Sequence, residues 1–288
     1  MHAPAGSPLR MGLLAAYDLS ILVGGIRIEI GRFSQATLGR LRIFSGLPPD
    51  APEPTISVGT FCEFAEGSMI IAGGEHKNEN IFNTTLGLAG SFFKVFMSPA
   101  DLDLCQVKYA AGVHIGDGVV MSTNAVVLDG SRIGDGCLIG AGSLVAGEAS
   151  PFGVYLGTPA RHFRGRLSPA DQEKYRDVAF ARIAAHAVPI LPSTLLAYQQ
   201  GEISREAMRA RLPLLSARPR IHAVAELNAD RSIGRLEIKS FAVGAEPIRD
   251  ETKVARLHRY FQQFSAADET VEWVPDVFYA MGLVACES

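Results

Sequence analysis

Cysteine, charge, long apolar runs and several well-known catalytic signatures are scarce or missing here, and each shortage narrows the possibilities. The four cysteines, Cys62, Cys105, Cys137 and Cys286, stand far apart and form no CxxC pair. They lack the density of a disulfide-stapled secreted scaffold and fit a reducing compartment. Lys and Arg number 27 against 30 Asp and Glu, so the chain has no overall basic character and nucleic acid is not an expected partner. Between Met11 and Gly25 the sequence is apolar, but Asp18 interrupts it, and it falls short of the roughly 20 residues that span a bilayer. No basic segment followed by a cleavage site precedes it, so neither a signal peptide nor a membrane is expected, and the expected location is the cytoplasm. No GxSxG elbow occurs, which leaves a covalent serine mechanism without support. No glycine-rich nucleotide loop precedes the repeats described next, which weighs against a sugar nucleotidyltransferase.

What the sequence does contain is a period. Its 288 residues, 48% hydrophobic and 20% charged, make an ordinary globular chain long enough for a core domain plus an appendage. From Ile115 onward, bulky apolar residues recur every six positions at Met121, Val127, Ile133, Ile139 and Val145. Four residues after each of the first five comes a smaller side chain: Val119, Ala125, Ser131, Cys137 and Ser143. A helix cannot keep a six-residue phase on one face, and each intervening glycine would cost it about 1 kcal/mol. A coil with three six-residue sides can. Every side then turns one large residue inward, glycines take the corners, and each turn stacks on the next at the ~4.8 Å spacing of paired strands. Val58, Phe64 and Ile70 obey the same phase, followed by Cys62, Ser68 and Gly74, and the looser alternation over 28–43 reads as the opening coils. The competing reading is a glycine-rich β-sandwich, which does not require so strict a phase. Cys62 and Cys137 fall in small inward slots and read as apolar filler.

Between Gly74 and Ile115 the phase breaks. The interruption carries the run Ala72-Gly-Gly-Glu-His-Lys-Asn-Glu-Asn80 and then Phe82, Phe92, Phe93 and Phe96, too apolar for a solvated linker and suited to packing against a neighbouring subunit. The run from Val58 to His76, the loop, the repeats from Ile115, Ile139-Gly-Ala-Gly-Ser-Leu-Val145 and finally Gly157-Thr-Pro-Ala-Arg161 together resemble the hexapeptide xenobiotic acetyltransferases and related sugar O-acetyltransferases. The resemblance covers residues 28–167. It implies a left-handed parallel β-helix, a homotrimer, and transfer of an acetyl group from acetyl-CoA, as co-substrate, to a small-molecule or carbohydrate hydroxyl.

It also implies site residues. His76 matches the general base, and a neutral imidazole with a pKa near 6.5 suits removal of a hydroxyl proton as oxygen attacks a thioester. Glu75 and Glu79 could orient that ring, although exposed loop carboxylates are ordinarily just solvated, and the oxyanion donors are not legible. The pantetheine arm would lie near Ser122, Ala141 and the turn Gly157, Thr158, Pro159 and Ala160, with Arg161, Arg164 and Arg166 near the nucleotide phosphates. Two departures from the family pattern, Ala146-Gly147 in place of Thr-Lys and Val120-Met121-Ser122 in place of Trp-Ile-Gly, point to a differently gripped donor. Alternative functions are N-acetylation of an aminosugar, a zinc hydratase of carbonic anhydrase type using His76 and His114, and a non-catalytic scaffold. The hydratase lacks a third histidine, because Val119 stands where one is expected, so no metal is anticipated.

Past Leu167 the phase ends. Ser168-Pro169 with Asp171 reads as a helix start, with Tyr175, Val178, Ala179 and Ile183 as its apolar stripe, and Ser204 to Leu212 reads as another helix. Alternation at Ile221, Ala223, Ala225 and Leu227 and at Leu236 and Ile238, a helical pattern over Thr252 to Phe264, and core aromatics Trp273, Phe278 and Tyr279 indicate a small α+β domain. The expected organisation is an N-terminal cap (1–27), a mainly β coil domain (28–166) with its excursion loop (75–112), a helical segment (167–215) and a small α+β C-terminal domain (216–288).

Overall fold

The six-residue phase becomes a three-sided coil. The computed structural model describes residues 2–3, 17–34, 41–44, 56–81, 95–105, 107–108, 110–218, 220–231 and 233–242. Expectations for Phe82, Phe92, Phe93, residues 252–264, Trp273, Phe278, Tyr279 and Cys286 therefore lie outside the described residues. The first face stacks Ile26–Ile30, Ile56–Val58, Val113–Ile115, Arg132–Ile133 and Glu148–Ala149; the second stacks Glu63–Phe64, Val120–Met121, Leu138–Ile139 and Gly153–Leu156; the third stacks Leu41–Ile43, Met69–Ala72, Val126–Val127 and Leu144–Val145. Neighbours within these stacks are parallel. His114 pairs with Arg132, Val120 with Leu138 and Val126 with Leu144, a step of eighteen residues on every face. Across the interruption the step is fifty-seven on all three faces, Ser57 with His114, Glu63 with Val120 and Met69 with Val126. The excursion is thus looped out between the third and first faces without disturbing register.

Register stacks the periodic residues directly. Val58, Ile115 and Ile133, then Phe64, Met121, Ile139 and Tyr155, then Leu41, Ile70, Val127 and Val145 form three inward columns, all buried. The smaller residues Cys62, Ser68, Val119, Ala125, Ser131, Cys137 and Ser143 are buried at the edges between them. Their polar atoms do not go unsatisfied, since an orphaned buried donor costs about 1–3 kcal/mol. Ser68 Oγ donates to Ala65 O at 2.7 Å, Ser131 Oγ to Val145 O at 3.2 Å, Cys62 Sγ to Gly116 O at 3.1 Å and Cys137 Sγ to Ser150 O at 3.0 Å. Ser143 Oγ accepts from Gly157 N at 3.0 Å. The cysteines are filler with a directed S–H.

The edge between the first and second faces carries the helical appendage. At one position of that edge, successive turns place Phe33, Phe61, Gly118, Gly136 and Phe152, every one at a positive φ between 54° and 63°. The last four donate their N–H to the turn below, Phe61 to Arg32 O, Gly118 to Thr60 O, Gly136 to Asp117 O and Phe152 to Asp135 O. Tyr175 lies over the gap that the glycines leave: its hydroxyl donates to Asp117 O at 2.8 Å, and its ring packs on Phe152 at 4.9 Å and Phe180 at 4.7 Å. Phe180 meets Phe61, and Phe61 meets Phe33, so an aromatic seam runs along the edge.

Helices α1 (Pro99–Leu104), α2 (Pro169–Asp177), α3 (Leu191–Gln200) and α4 (Arg205–Arg211) are short. Ser98, Ser168 and Ser204 cap α1, α2 and α4 by accepting a backbone N–H three residues on. The expected stripe through Ile183 does not continue as one helix. Asp177 ends α2, Val178 leaves helical geometry at ψ 90°, and Phe180–Arg182 make a 3-10 turn that delivers Phe180 to the seam. No helix among the described residues is long and apolar enough to cross a membrane.

At the N-terminal end, Asp18–Val23 pairs antiparallel with Ile26–Ile30 through a Gly24-Gly25 turn. Arg220–Leu227 then adds parallel to Asp18–Val23, and Ile233–Ala242 and His2–Ala3 continue the same nine-stranded sheet. Two strands of the region expected as a small α+β domain, Arg220–Leu227 and Ile233–Ala242, thus lie in the same sheet as the coil's first face, and the first of them covers the edge of Asp18–Val23. An ion pair between the exposed Arg218 and the buried Asp18 fixes this closure: Arg218 Nη2 and Nε lie 2.7 Å from Asp18 Oδ1 and Oδ2. Arg32, also buried, stacks over Phe33 at 4.5 Å and is pushed down to about 10 by burial, which Asp18 only partly opposes.

Candidate active site

The edge between the second and third faces gathers most of the expected donor residues. It is built from Ala65–Ser68, then Ser122–Ala125, Gly140–Ser143 and Gly157–Ala160, one stretch per turn. Ser122 N donates to Ile139 O at 2.9 Å, Gly142 N to Thr123 O at 2.9 Å, Thr158 Oγ1 to Gly142 O at 3.1 Å, Leu144 N to Gly157 O at 3.0 Å and Ala160 N to Leu144 O at 2.7 Å. Ser122 is half-buried, whereas Ala141, Gly142, Gly157, Thr158 and Pro159 are exposed. Gly142 has φ +66°, and a Cβ there would meet no atom within 4 Å. The Thr158–Pro159 peptide is cis. The result is an open strip of small side chains crossing successive turns.

The arginines divide. Arg161–Gly165 turns back antiparallel along the second face, pairing Arg161 with Leu156, Arg164 with Val154 and Gly165 with Gly153. Arg161 therefore adjoins the strip beside Ala160, while Arg164 lies three residues further across the face; both are exposed. Arg166 leaves the cluster altogether, because its Nε donates to Gly136 O at 2.7 Å on the seam edge. Backbone reversal at the turn separates what adjacent numbering groups together.

His76 stands elsewhere. It lies four residues beyond Met69–Ala72, after Gly73 and Gly74 at φ +72° and +82°, where the chain leaves the edge between the third and first faces. The side chain is exposed, and His76 O accepts from Asn78 N at 2.9 Å. Lys108, at the far end of the excursion, donates its N–H to Glu75 O at 2.8 Å and sets its ammonium 3.2 Å from Glu75 Oε1 and 3.3 Å from Glu79 Oε2. These bonds raise the Lys108 pKa, the one to Glu75 acting most. Glu79 is lowered, first by its own backbone N–H and then by Lys108. Lys77 Nζ donates to Asp103 O at 2.6 Å on α1. Sequence reasoning assigned the two glutamates no more than a possible orienting role and passed over Lys108; a basic residue at the close of the loop was the only available signal.

One chain thus carries the His76 imidazole on one edge and the strip of small side chains on another, with the third face between them. That face turns Met69, Ile71, Val126, Leu128 and Leu144 outward, all half-buried and apolar. Ile81, Val95, Phe96 and Leu104 of the excursion are exposed. His114 lies outward on the first face between Ser57 and Arg132. Among the described residues no group of three or more His, Cys, Asp or Glu is placed to hold a metal ion.

A family model described as bacterial transferase hexapeptide (six repeats) matches residues 112–147. Residues 112–147 thus carry the hexapeptide repeat. The hexapeptide segment is the run with the constant eighteen-residue step. Among curated proteins, the chain is 29% identical over 112 residues to a probable macrolide acetyltransferase of Lysinibacillus sphaericus, covering 38% of this chain and 60% of that one. It is 27% identical over 135 residues to a chloramphenicol acetyltransferase of Escherichia coli, covering 46% of this chain and 62% of that one. The chain thus spans about three fifths of the length of these relatives. Among solved structures, a maltose O-acetyltransferase from Clostridium difficile 630 aligns at TM-score 0.31 and 20% identity, covering 52% of this chain and 67% of that one.

Proposed function

We propose that this chain is an acetyl-CoA-dependent acyltransferase on a left-handed parallel β-helix, transferring acetyl to a hydroxyl of a carbohydrate or other small acceptor. The observation that carries the reading is the strip of Ser122, Ala141 and Gly157–Ala160 aligned along one edge of a hexapeptide coil, with Arg161 beside it for a phosphate. The names of the relatives agree with it. His76 serves as general base. It takes the acceptor hydroxyl proton as that oxygen bonds to the thioester carbonyl carbon; the C–S bond then breaks and the departing thiolate recovers the proton from the imidazolium.

Because His76 and the strip occupy different edges of one prism, the reading includes a homotrimer whose site joins two chains. The apolar third face and the exposed apolar residues of the excursion supply surface for such packing. The strands Arg220–Leu227 and Ile233–Ala242 are read as an accessory unit built onto the first face.

The test is thiol release from acetyl-CoA against a panel of sugars, aminosugars, chloramphenicol and a macrolide, with binding followed by thermal stabilisation. His76→Ala should keep the stabilisation by acetyl-CoA and lose about 10²–10⁴-fold in turnover, the range for removing a general base. Full turnover in that variant would overturn the reading, as would wild-type protein that neither binds nor consumes acetyl-CoA.

A further inference from the structure

The proposed base rides on an exposed excursion, where a shift of 1 Å can cost about 10²-fold in rate. Something must hold it. Resting on the role read for His76, we propose that Lys108 is its positioning residue: one ammonium bridges Glu75 and Glu79, one residue before and three residues after His76 in the chain, and pins the turn that carries it.

A lone exposed ion pair contributes little to stability, but this arrangement differs in three respects. The ammonium is shared, at 3.2 and 3.3 Å, by two carboxylates that bracket His76. The same residue closes the excursion through its backbone, Lys108 N to Glu75 O at 2.8 Å. A second lysine, Lys77, ties the next position to Asp103 of α1. Between these ties the turn is narrow, with Asn78 N donating to His76 O at 2.9 Å and Asn80 N to Lys77 O at 3.0 Å. Without the ammonium, the two carboxylates repel across that turn, and the backbone that carries His76 loses a tie. The consequence belongs to kcat, since Lys108 acts on the turn that carries the base and not on the donor.

The full chain should be compared as wild type, Lys108→Met, Lys108→Arg and His76→Ala. Methionine keeps the backbone bond and the stem and removes only the charge. Expected for Lys108→Met is a kcat about tenfold lower, well inside the cost of misplacing a reacting group, with the acetyl-CoA KM and Tm unchanged. Amide hydrogen exchange over residues 75–80 should quicken. Lys108→Arg, whose guanidinium also spans two carboxylates, should restore both rate and protection. The proposal is overturned if Lys108→Met keeps wild-type kcat and exchange, if Lys108→Arg is as impaired as Lys108→Met, or if KM and Tm collapse along with kcat. An active His76→Ala would instead overturn the base assignment, whereas an inactive one beside a fully active Lys108→Met would overturn the Lys108 role alone.

Discussion

An inward slot changes the chemistry of the side chain that fills it, and Cys62 shows how far. It is buried with its S–H aimed at Gly116 O, and burial pushes its pKa up to about 12. In the unfolded chain the thiol titrates near 8.5. The folded state therefore holds the proton longer, so the stability this group contributes is complete below about pH 8.5 and is lost as pH rises toward the folded value. Cys137 is shifted in the same direction by the same cause. Melting wild type and Cys62→Ala at pH 7 and pH 9.5 should show a smaller alkaline loss of Tm in the variant, with part of the slope left by Cys137. Equal slopes would show that the slot does not impose the shift. Neither thiol should label with a thiol reagent in the native state, so the release of CoA can be followed with such a reagent without interference from these positions.

At the scale of the element, the seam edge and the donor edge offer the same backbone geometry with different neighbours. Gly118 and Gly142 have φ +63° and +66°, so alanine at either meets the penalty of the left-handed region, about 1 kcal/mol. They differ in space. A Cβ at Gly118 would stand 2.5 Å from the Tyr175 hydroxyl, while one at Gly142 meets nothing within 4 Å. Gly118→Ala should therefore be the more destabilising by about 1–2 kcal/mol, because it also lifts Tyr175 off Asp117 O and loosens the aromatic seam. Chemical denaturation measures the difference, and trypsin should cleave the 168–215 segment sooner in Gly118→Ala alone. Much of this was legible in the sequence. The six-residue phase set every inward column from Val58 to Val145, and Ser168-Pro169 and Ser204 marked helix starts correctly. The seam was not legible, because Phe33, Phe61 and Phe152 are separated by steps of unequal length and only the register of the coils aligns them with Gly118. Neither were the strands at 220–242 legible as part of the first face, since alternation identifies a strand but not its partner.

For the whole molecule, the decisive geometry is that one prism cannot bring its own His76 edge to its own donor strip without crossing the third face. Motifs in the sequence point to both His76 and the Gly157–Ala160 turn, but the fold separates them by a face, and only the closure of the excursion brings Lys108 to Glu75 and Glu79. The proposed site, completed by a neighbour, makes a specific demand. Let His76→Ala chains be mixed with chains in which Ala141→Trp obstructs the donor strip, and let the two be refolded together. Each homomer has every site broken. In mixed trimers, some interfaces join an intact imidazole from one chain to an intact strip from the next. With random assembly of equal amounts, each interface has about one chance in four of that pairing. Recovered turnover near a quarter of wild type, appearing only after subunit exchange and accompanied by a trimeric mass, is the expected result. A mixture that stays inactive, or a wild-type chain that turns over as a monomer, would place both halves of the site within a single chain and require the excursion to fold across the third face to reach its own strip.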